Sequence, residues 1–169
     1  MDLKRIARHL MMTPGRLRRS FPPATLASIE NAISATELDH AGQIRFAVEG
    51  ALDCAPLLRG QSARERAIDL FAQLRIWDTE HNNGVLIYLL LADRDVEIVA
   101  DRGIAGKTTT STWEQICHTM ESAFRRSEYE RGVLDGIHLA AHTLRRHFPQ
   151  RADRLDSCTN ELPDPAVLL

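Results

Sequence analysis

The chain has 169 residues, 44% of them hydrophobic and 26% charged, with a formal net charge of −2, a composition that suits one globular domain with or without short tails. Its longest apolar run, Val85 to Ala92, is far shorter than the roughly 20 residues a membrane-spanning helix needs, which excludes a transmembrane span. Cys54, Cys117 and Cys158 show no CxxC spacing. They therefore form neither a disulfide scaffold nor a zinc knuckle, and they suit a reducing compartment.

The small net charge hides an asymmetry. Lys4, Arg5, Arg8, Arg16, Arg18 and Arg19 face only Asp2 in the first 24 residues, so the remainder is net acidic. Recurring arginines do not fit an export signal, which gives the expectation of a retained, cytoplasmic chain, peripheral on the inner membrane face. Within the basic segment, residues 1–20, Leu3, Ile6, Leu10 and Met11 share one helical face before Thr13-Pro14-Gly15 breaks the helix. Such a segment either lies on an anionic membrane or a partner's acidic groove, or docks on its own domain with a solvated basic face. Nucleic acid is disfavoured, because Phe21 is the only aromatic beside these charges.

Phe21-Pro22-Pro23 opens a helix carrying Leu26, Ile29, Ile33 and Leu38, expected to end at Gly42. Ile44, Phe46 and Val48 then alternate as a strand with one better-buried face, followed by a loop through Pro56 and Gly60. Ser62 and Glu65 form a capping box for a helix whose buried stripe is Ala67, Leu70, Phe71, Leu74 and Trp77. Asn82-Asn83-Gly84 turns into Val85–Leu91, whose unbroken apolarity marks a central strand covered on both faces. Across the turn Ala92–Asp95, Val96, Ile98 and Ala100 return as the second arm of a hairpin. Two helices follow, one with Trp113, Ile116, Cys117, Met120 and Phe124 inward, the other with Val133, Leu134, Ile137, Ala141 and Leu144. Residues 149–169 read as an extended tail able to add to a sheet edge or fill a groove, which leaves 21–148 as the domain. The order helix, strand, helix, strand, strand, helix, helix predicts a three-layer α/β/α sandwich around a small mixed sheet.

The loops at the strand ends hold the densest chemistry. Asp78, Glu80, Asp93 and Asp101 are candidate oxygen ligands for Ca2+ or Mg2+, and Arg94 and Arg102 are candidate anion holders. Turn chemistry alone also explains Asn82, Asn83 and Gly84, and Arg102 could instead pair with Asp101 or Asp78. His138 and His142 have HxxxH spacing but no indicated third ligand, and they sit near Arg145 and Arg146, which favours a surface role. Cys117 lies on a buried stripe, while Asp53 beside Cys54 disfavours a thiolate. No GxSxG, P-loop or GxGxxG motif is present.

Asn83-Gly84-Val85-Leu86-Ile87, followed by Ala92-Asp93-Arg94, Val96-Glu97-Ile98 and Gly103, closely resembles the core of the TPM domain family. The Arg66–Trp77 helix and the later Phe124-Arg125, Tyr129 and Gly132 extend the resemblance over about residues 25–148. It implies a three-layer fold with a central mixed sheet, turn residues Asn82, Asn83, Gly84 and Gly103 at the motif, and a family in which some members act as acid phosphatases and some bind Ca2+ or similar ions. The family usually has an acidic residue where this chain has Asn82, and glutamates in a stretch where this chain offers only Asp101. Fewer carboxylates mean fewer ligands for a hard cation, so no cofactor, or a weakly held Ca2+ or Mg2+, is expected. The resemblance to the short soluble bacterial branch implies a membrane-anchored TPM or LemA-type protein as partner. The expectation is a non-catalytic interaction module at the cytoplasmic membrane face, with Lys4, Arg5, Arg8, Arg16, Arg18 and Arg19 in contact with the membrane or partner. The alternative is a weak divalent-dependent phosphatase.

Overall fold

The computed structural model describes residues 2–149 and 162–169, so Cys158 and most of the expected tail lie outside the described residues. Two short helices, α1 (Leu3–Leu10) and α2 (Pro14–Ser20), precede α3 (Pro23–Glu37) and β1 (Gln43–Glu49). Then come α4 (Cys54–Leu58), α5 (Ala63–Gln73), and the hairpin β2 (Gly84–Leu90) and β3 (Asp95–Ala100). α6 (Arg102–Ala105), α7 (Thr110–Arg125), α8 (Tyr129–His147) and β4 (Val167–Leu168) complete the described chain.

The four-stranded sheet has the order β3-β2-β1-β4. β1 runs parallel to β2 from Gln43↔Gly84 to Glu49↔Leu90, and β2 runs antiparallel to β3 from Val85↔Ala100 to Leu90↔Asp95. Alternation along the strands divides the core in two. Ile44, Phe46, Val48, Val85, Ile87 and Leu89 meet the apolar stripes of α3, α7 and α8, while Ala47, Leu86, Tyr88 and Leu90 meet those of α4 and α5. Helices therefore cover both faces, which is the three-layer sandwich the element order predicts.

Several local expectations are corrected. β1 is covered on both faces, with Ala47 and Glu49 buried as well as Phe46, because helices pack against each side of it. α3 stops at Glu37 and leaves Leu38 76% exposed, so Thr36 and Glu37 turn inward instead. The Ser62–Glu65 capping box forms as expected, but α5 ends early at Gln73. Arg75 then adopts φ 54°, and this left-handed step changes the phase of the chain. Ile76 consequently enters the core and Trp77 is exposed. At the C-terminus the tail forms a short strand that pairs with β1 through Ala47↔Val167 and Val48↔Leu168, and two backbone bonds, Leu169 N–H to Val48 C=O and Gly50 N–H to Leu169 C=O, extend it.

α1 docks in an unexpected sense. Leu3, Leu10 and Met11 are exposed, Ile6 at the flank packs partly against the core, and the polar side packs inward through Arg5 and the buried His9. Leu17 of α2 and Phe21 just beyond it join the core.

Candidate functional site

The candidate residues divide between the two ends of the sheet. Asp93 and Arg94 occupy the β2–β3 turn, whereas Asp78, Glu80, Asn82, Asn83, Gly84, Asp101, Arg102 and Gly103 gather where β2 begins and β3 ends. Six steps along β2, at about 3.3 Å each, separate these ends by about 20 Å. One ion, with Ca2+ to oxygen distances of about 2.3–2.6 Å, cannot touch both Asp93 and Asp101.

At the end where β2 begins, turn chemistry and close packing dominate. Asn82, at φ 50°, accepts from Arg102 Nε through Oδ1 at 2.8 Å, so Arg102 pairs with an amide rather than with Asp101 or Asp78. Asn83 donates its side-chain amide to the Ala41 carbonyl. Asp101 caps α6 by accepting the Arg102 N–H at 2.6 Å, and exposed Asp78 sits 3.8 Å from Arg75 Nε. A Cβ on Gly84 would lie 2.2 Å from the Ile76 carbonyl oxygen, and one on Gly103 would lie 2.6 Å from that of Asn82. Both motif glycines are therefore required by backbone approach. Asn83 Oδ1 and Asp101 Oδ2 are buried acceptors without a partner, the kind of oxygen a hard cation uses. Yet no three His, Cys, Asp or Glu side chains gather as a metal-holding group among the described residues. Two such oxygens fall well short of the six to eight that Ca2+ takes, so the residues present do not fit a dedicated cation cage. His138 and His142 are both exposed on α8, and the Cys117 thiol is pushed up to about 12 by burial and by neighbouring Glu97 and Glu121.

The opposite end, where the parallel strands β1 and β2 finish, opens into a cleft of about 920 Å3. In open α/β sheets this carboxyl end is where ligands characteristically sit. α1, α2, the β2–β3 turn and the C-terminal part of α7 wall it, bringing Arg8, Arg16, Arg19, Arg94 and Arg125 to its lining. Asp93 anchors the N-terminal helix here. It accepts from Arg5 Nε at 2.8 Å, from Arg8 Nη2 at 2.8 Å and from His9 Nε2 at 3.1 Å. Burial raises its carboxyl, but these three donors outweigh that and hold it below the usual range. His9 Nδ1 accepts the Leu52 N–H at 3.1 Å, which places the ring proton on Nε2 for Asp93. Arg125 pairs with Glu121 at 3.2 Å. Asp95 has no ion pair among the described residues, and its carboxyl is pushed up to about 6 by burial and then by Glu97, Glu121 and Asp93. Arg16, Arg19 and Arg94 make no side-chain hydrogen bond or ion pair with the described residues.

On the sheet face that α5 covers lies a buried polar group that periodicity does not reveal. Glu49 accepts from Tyr88 Oη at 2.7 Å and from both Arg66 Nε and Nη2, at 2.8 and 3.1 Å. Its alternate position in β1 was legible, but not its partners on α5 and β2. His9 was also missed, although its place interrupting an otherwise apolar and basic helix was visible.

The TPM domain family model matches residues 18–143, most of the chain and all of the sandwich from α3 to β3. This chain belongs to the TPM domain family. The solved structures agree. The NMR structure of the BA42 protein from the psychrophilic bacterium Bizionia argentinensis is 27% identical with a TM-score of 0.74, covering 86% of this chain and 93% of that one. The N-terminal domain of a protein from P. gingivalis superposes with a TM-score of 0.61 at 19% identity, covering 78% of this chain and 82% of that one, and speaks for the fold alone. No curated protein matches the sequence. Within the TPM domain, then, the motif glycines and asparagines shape one strand end. Of the cleft's free arginines, Arg16 precedes the family-matched region and Arg19 and Arg94 lie within it. No helix among the described residues is long and apolar enough to cross a membrane.

Proposed function

We propose that this TPM-domain protein is a non-catalytic interaction module that docks peripherally on an anionic membrane surface at its cytoplasmic face, alongside a membrane-anchored protein partner. The inverted docking of α1 carries the reading. A helix that packed only to complete its own domain would bury its apolar stripe, because each leucine taken from water contributes about 1.5–3 kcal/mol. Instead, polar His9 and Arg5 bind Asp93, and Leu3 and Leu10 stay 70% and 69% exposed. Exposed Lys4, Arg8, Arg16, Arg18 and Arg19 lie on α1 and α2 around this stripe. Apolar side chains that enter the headgroup boundary, ringed by cations that meet anionic lipid, are what an interfacial amphipathic helix requires. No observation favours the phosphatase alternative in the same way. Its four candidate carboxylates lie at two ends of the sheet, and Asp93 is committed to three donors of the chain itself.

Co-sedimentation with phosphatidylglycerol vesicles, compared with phosphatidylcholine vesicles, tests the proposal. The full chain is expected to pellet with the anionic vesicles only. The double variant Leu3→Ser, Leu10→Ser changes two exposed side chains, so it should fold normally and bind at least about tenfold more weakly. Equal binding by the variant, or no retention of the wild type, overturns the docking reading.

A further inference from the structure

The cleft beside α2 has an unusual charge balance. Arg5 and Arg8 pair with Asp93, Arg66 with Glu49, and Arg125 with Glu121, so Arg8 and Arg125 of the cleft lining are already engaged. Arg16 and Arg19, one helical turn apart on α2, and Arg94 on the β2–β3 turn line the same cleft without a partner among the described residues. Of the three carboxylates in the lining, Asp93 and Glu121 are already paired, which leaves Asp95 alone against three free guanidiniums. Arg94 also holds φ 53°, a conformation a bulky side chain adopts only at a local cost.

A guanidinium presents its N–H groups in a planar fork that matches phosphate oxygens, and three such forks converging on one cavity are suited to more negative charge than a single monoanion carries. The volume of about 920 Å3 is that of a small organic ligand's site rather than of one phosphate ion. Met11, Met12, Leu91 and Ala92 provide an apolar wall beside the cations. Met11 continues into the exposed stripe of α1.

We infer that this cleft binds a ligand bearing two closely spaced phosphate groups, held by Arg16, Arg19 and Arg94. The inference rests on the docking reading above in placing the cleft beside the membrane-facing stripe. The diphosphate belongs either to a lipid headgroup or to a soluble molecule, and the chemistry recognised is the same.

The first arm titrates inorganic pyrophosphate into the full chain by calorimetry, with inorganic phosphate as the comparison. Arg94→Asn removes the guanidinium and keeps a residue tolerant of positive φ, and Arg19→Gln removes an exposed charge. Loss of one charge-assisted contact predicts about tenfold weaker pyrophosphate binding in each variant, and wild-type pyrophosphate binding about tenfold tighter than phosphate. Thermal midpoints of both variants should stay near that of the wild type. The second arm compares vesicles carrying cardiolipin, whose headgroup region holds two phosphates, with phosphatidylglycerol vesicles of equal charge. A cardiolipin preference that disappears in Arg94→Asn assigns the site to a lipid. Equal binding to both vesicles, with pyrophosphate selectivity retained, assigns it to a soluble diphosphate. Pyrophosphate binding no tighter than phosphate, or undiminished in both variants, overturns the inference even if vesicle binding holds. Pyrophosphate binding without any vesicle binding leaves the cleft assignment standing and overturns the docking reading alone.

Discussion

Glu37→Gln gives a sharp test of how the sheet edge is closed. Leu169 N–H to Val48 C=O and Gly50 N–H to Leu169 C=O place the even-numbered backbone groups of β1 toward β4. Ile44 N–H therefore points to the same edge, beyond the Ala47 and Val48 positions that β4 covers. Glu37, 9% exposed at the end of α3, fills this gap by accepting that N–H through Oε1 at 2.7 Å. Burial pushes its carboxyl up from 4.5 to about 7, against the lowering effect of the Ile44 bond and with Asp164 adding to the rise. Because the folded value lies above the unfolded one, the group's stabilising contribution is complete below pH 4.5 and is lost as the pH rises through 7. The interval corresponds to about 3 kcal/mol. Glutamine keeps the acceptor and never ionises. The variant should match the wild type near pH 4.5 and exceed it by up to about 3 kcal/mol at pH 8, measured by urea unfolding across that range. His40 titrates in the opposite sense: burial lowers it to about 4, so its contribution is present above pH 6.5 and is lost as the pH falls through 4. That contribution is common to both proteins and cancels in their difference. A difference independent of pH would refute the assignment of Glu37 as a buried, reluctantly ionised edge cap.

Two further outcomes follow from contacts described above. His9→Ala should destabilise the fold by about 2–4 kcal/mol, since it orphans the buried Leu52 N–H and removes a donor from Asp93; urea unfolding measures the loss, and faster tryptic cleavage at Lys4 to Arg8 would locate it in α1. Unchanged stability together with unchanged cleavage would mean that His9 does not pin the helix. Gly84→Ala drives a Cβ to 2.2 Å from the Ile76 carbonyl oxygen, so it should cost about 3 kcal/mol or more, whereas Gly15→Ala, whose Cβ would come no nearer than 3.9 Å to Thr13 Oγ1, should be close to neutral; comparable thermal midpoints for the two variants would contradict the steric account of the motif.

The elements that periodicity exposed are those whose burial is decided locally. β2 is apolar at every position because both faces are covered, α7 and α8 carry regular stripes, and the Ser62–Glu65 cap is complete within four residues. What escaped was decided by distant partners or by single backbone angles. The tail reads as able to add to a sheet edge, but β4 is two residues long, too short for any period, so its partner and register are set by the edge of β1. Trp77 lost its expected place to Ile76 through the one positive φ at Arg75. α1 seats His9, with Arg5 and Arg8, on Asp93, 84 residues from His9 in the chain, and leaves Leu3 and Leu10 outside. The candidate site followed the same division. Hairpin topology already implies that Asp93, in the turn, and Asp101, past the end of the second strand, stand at opposite ends of the ladder, so a shared ion was excluded by an element correctly read from the sequence. The arginine cleft was not readable in this way. Its free cations come from α2 and from the β2–β3 turn, which the packing of Leu17 and Phe21 into the core brings together. The His9–Asp93 contact pins α1 and its outward stripe, whereas Leu17 and Phe21 seat α2, so His9→Ala, like Leu3→Ser, Leu10→Ser, should weaken vesicle binding, while Arg94→Asn should weaken pyrophosphate binding.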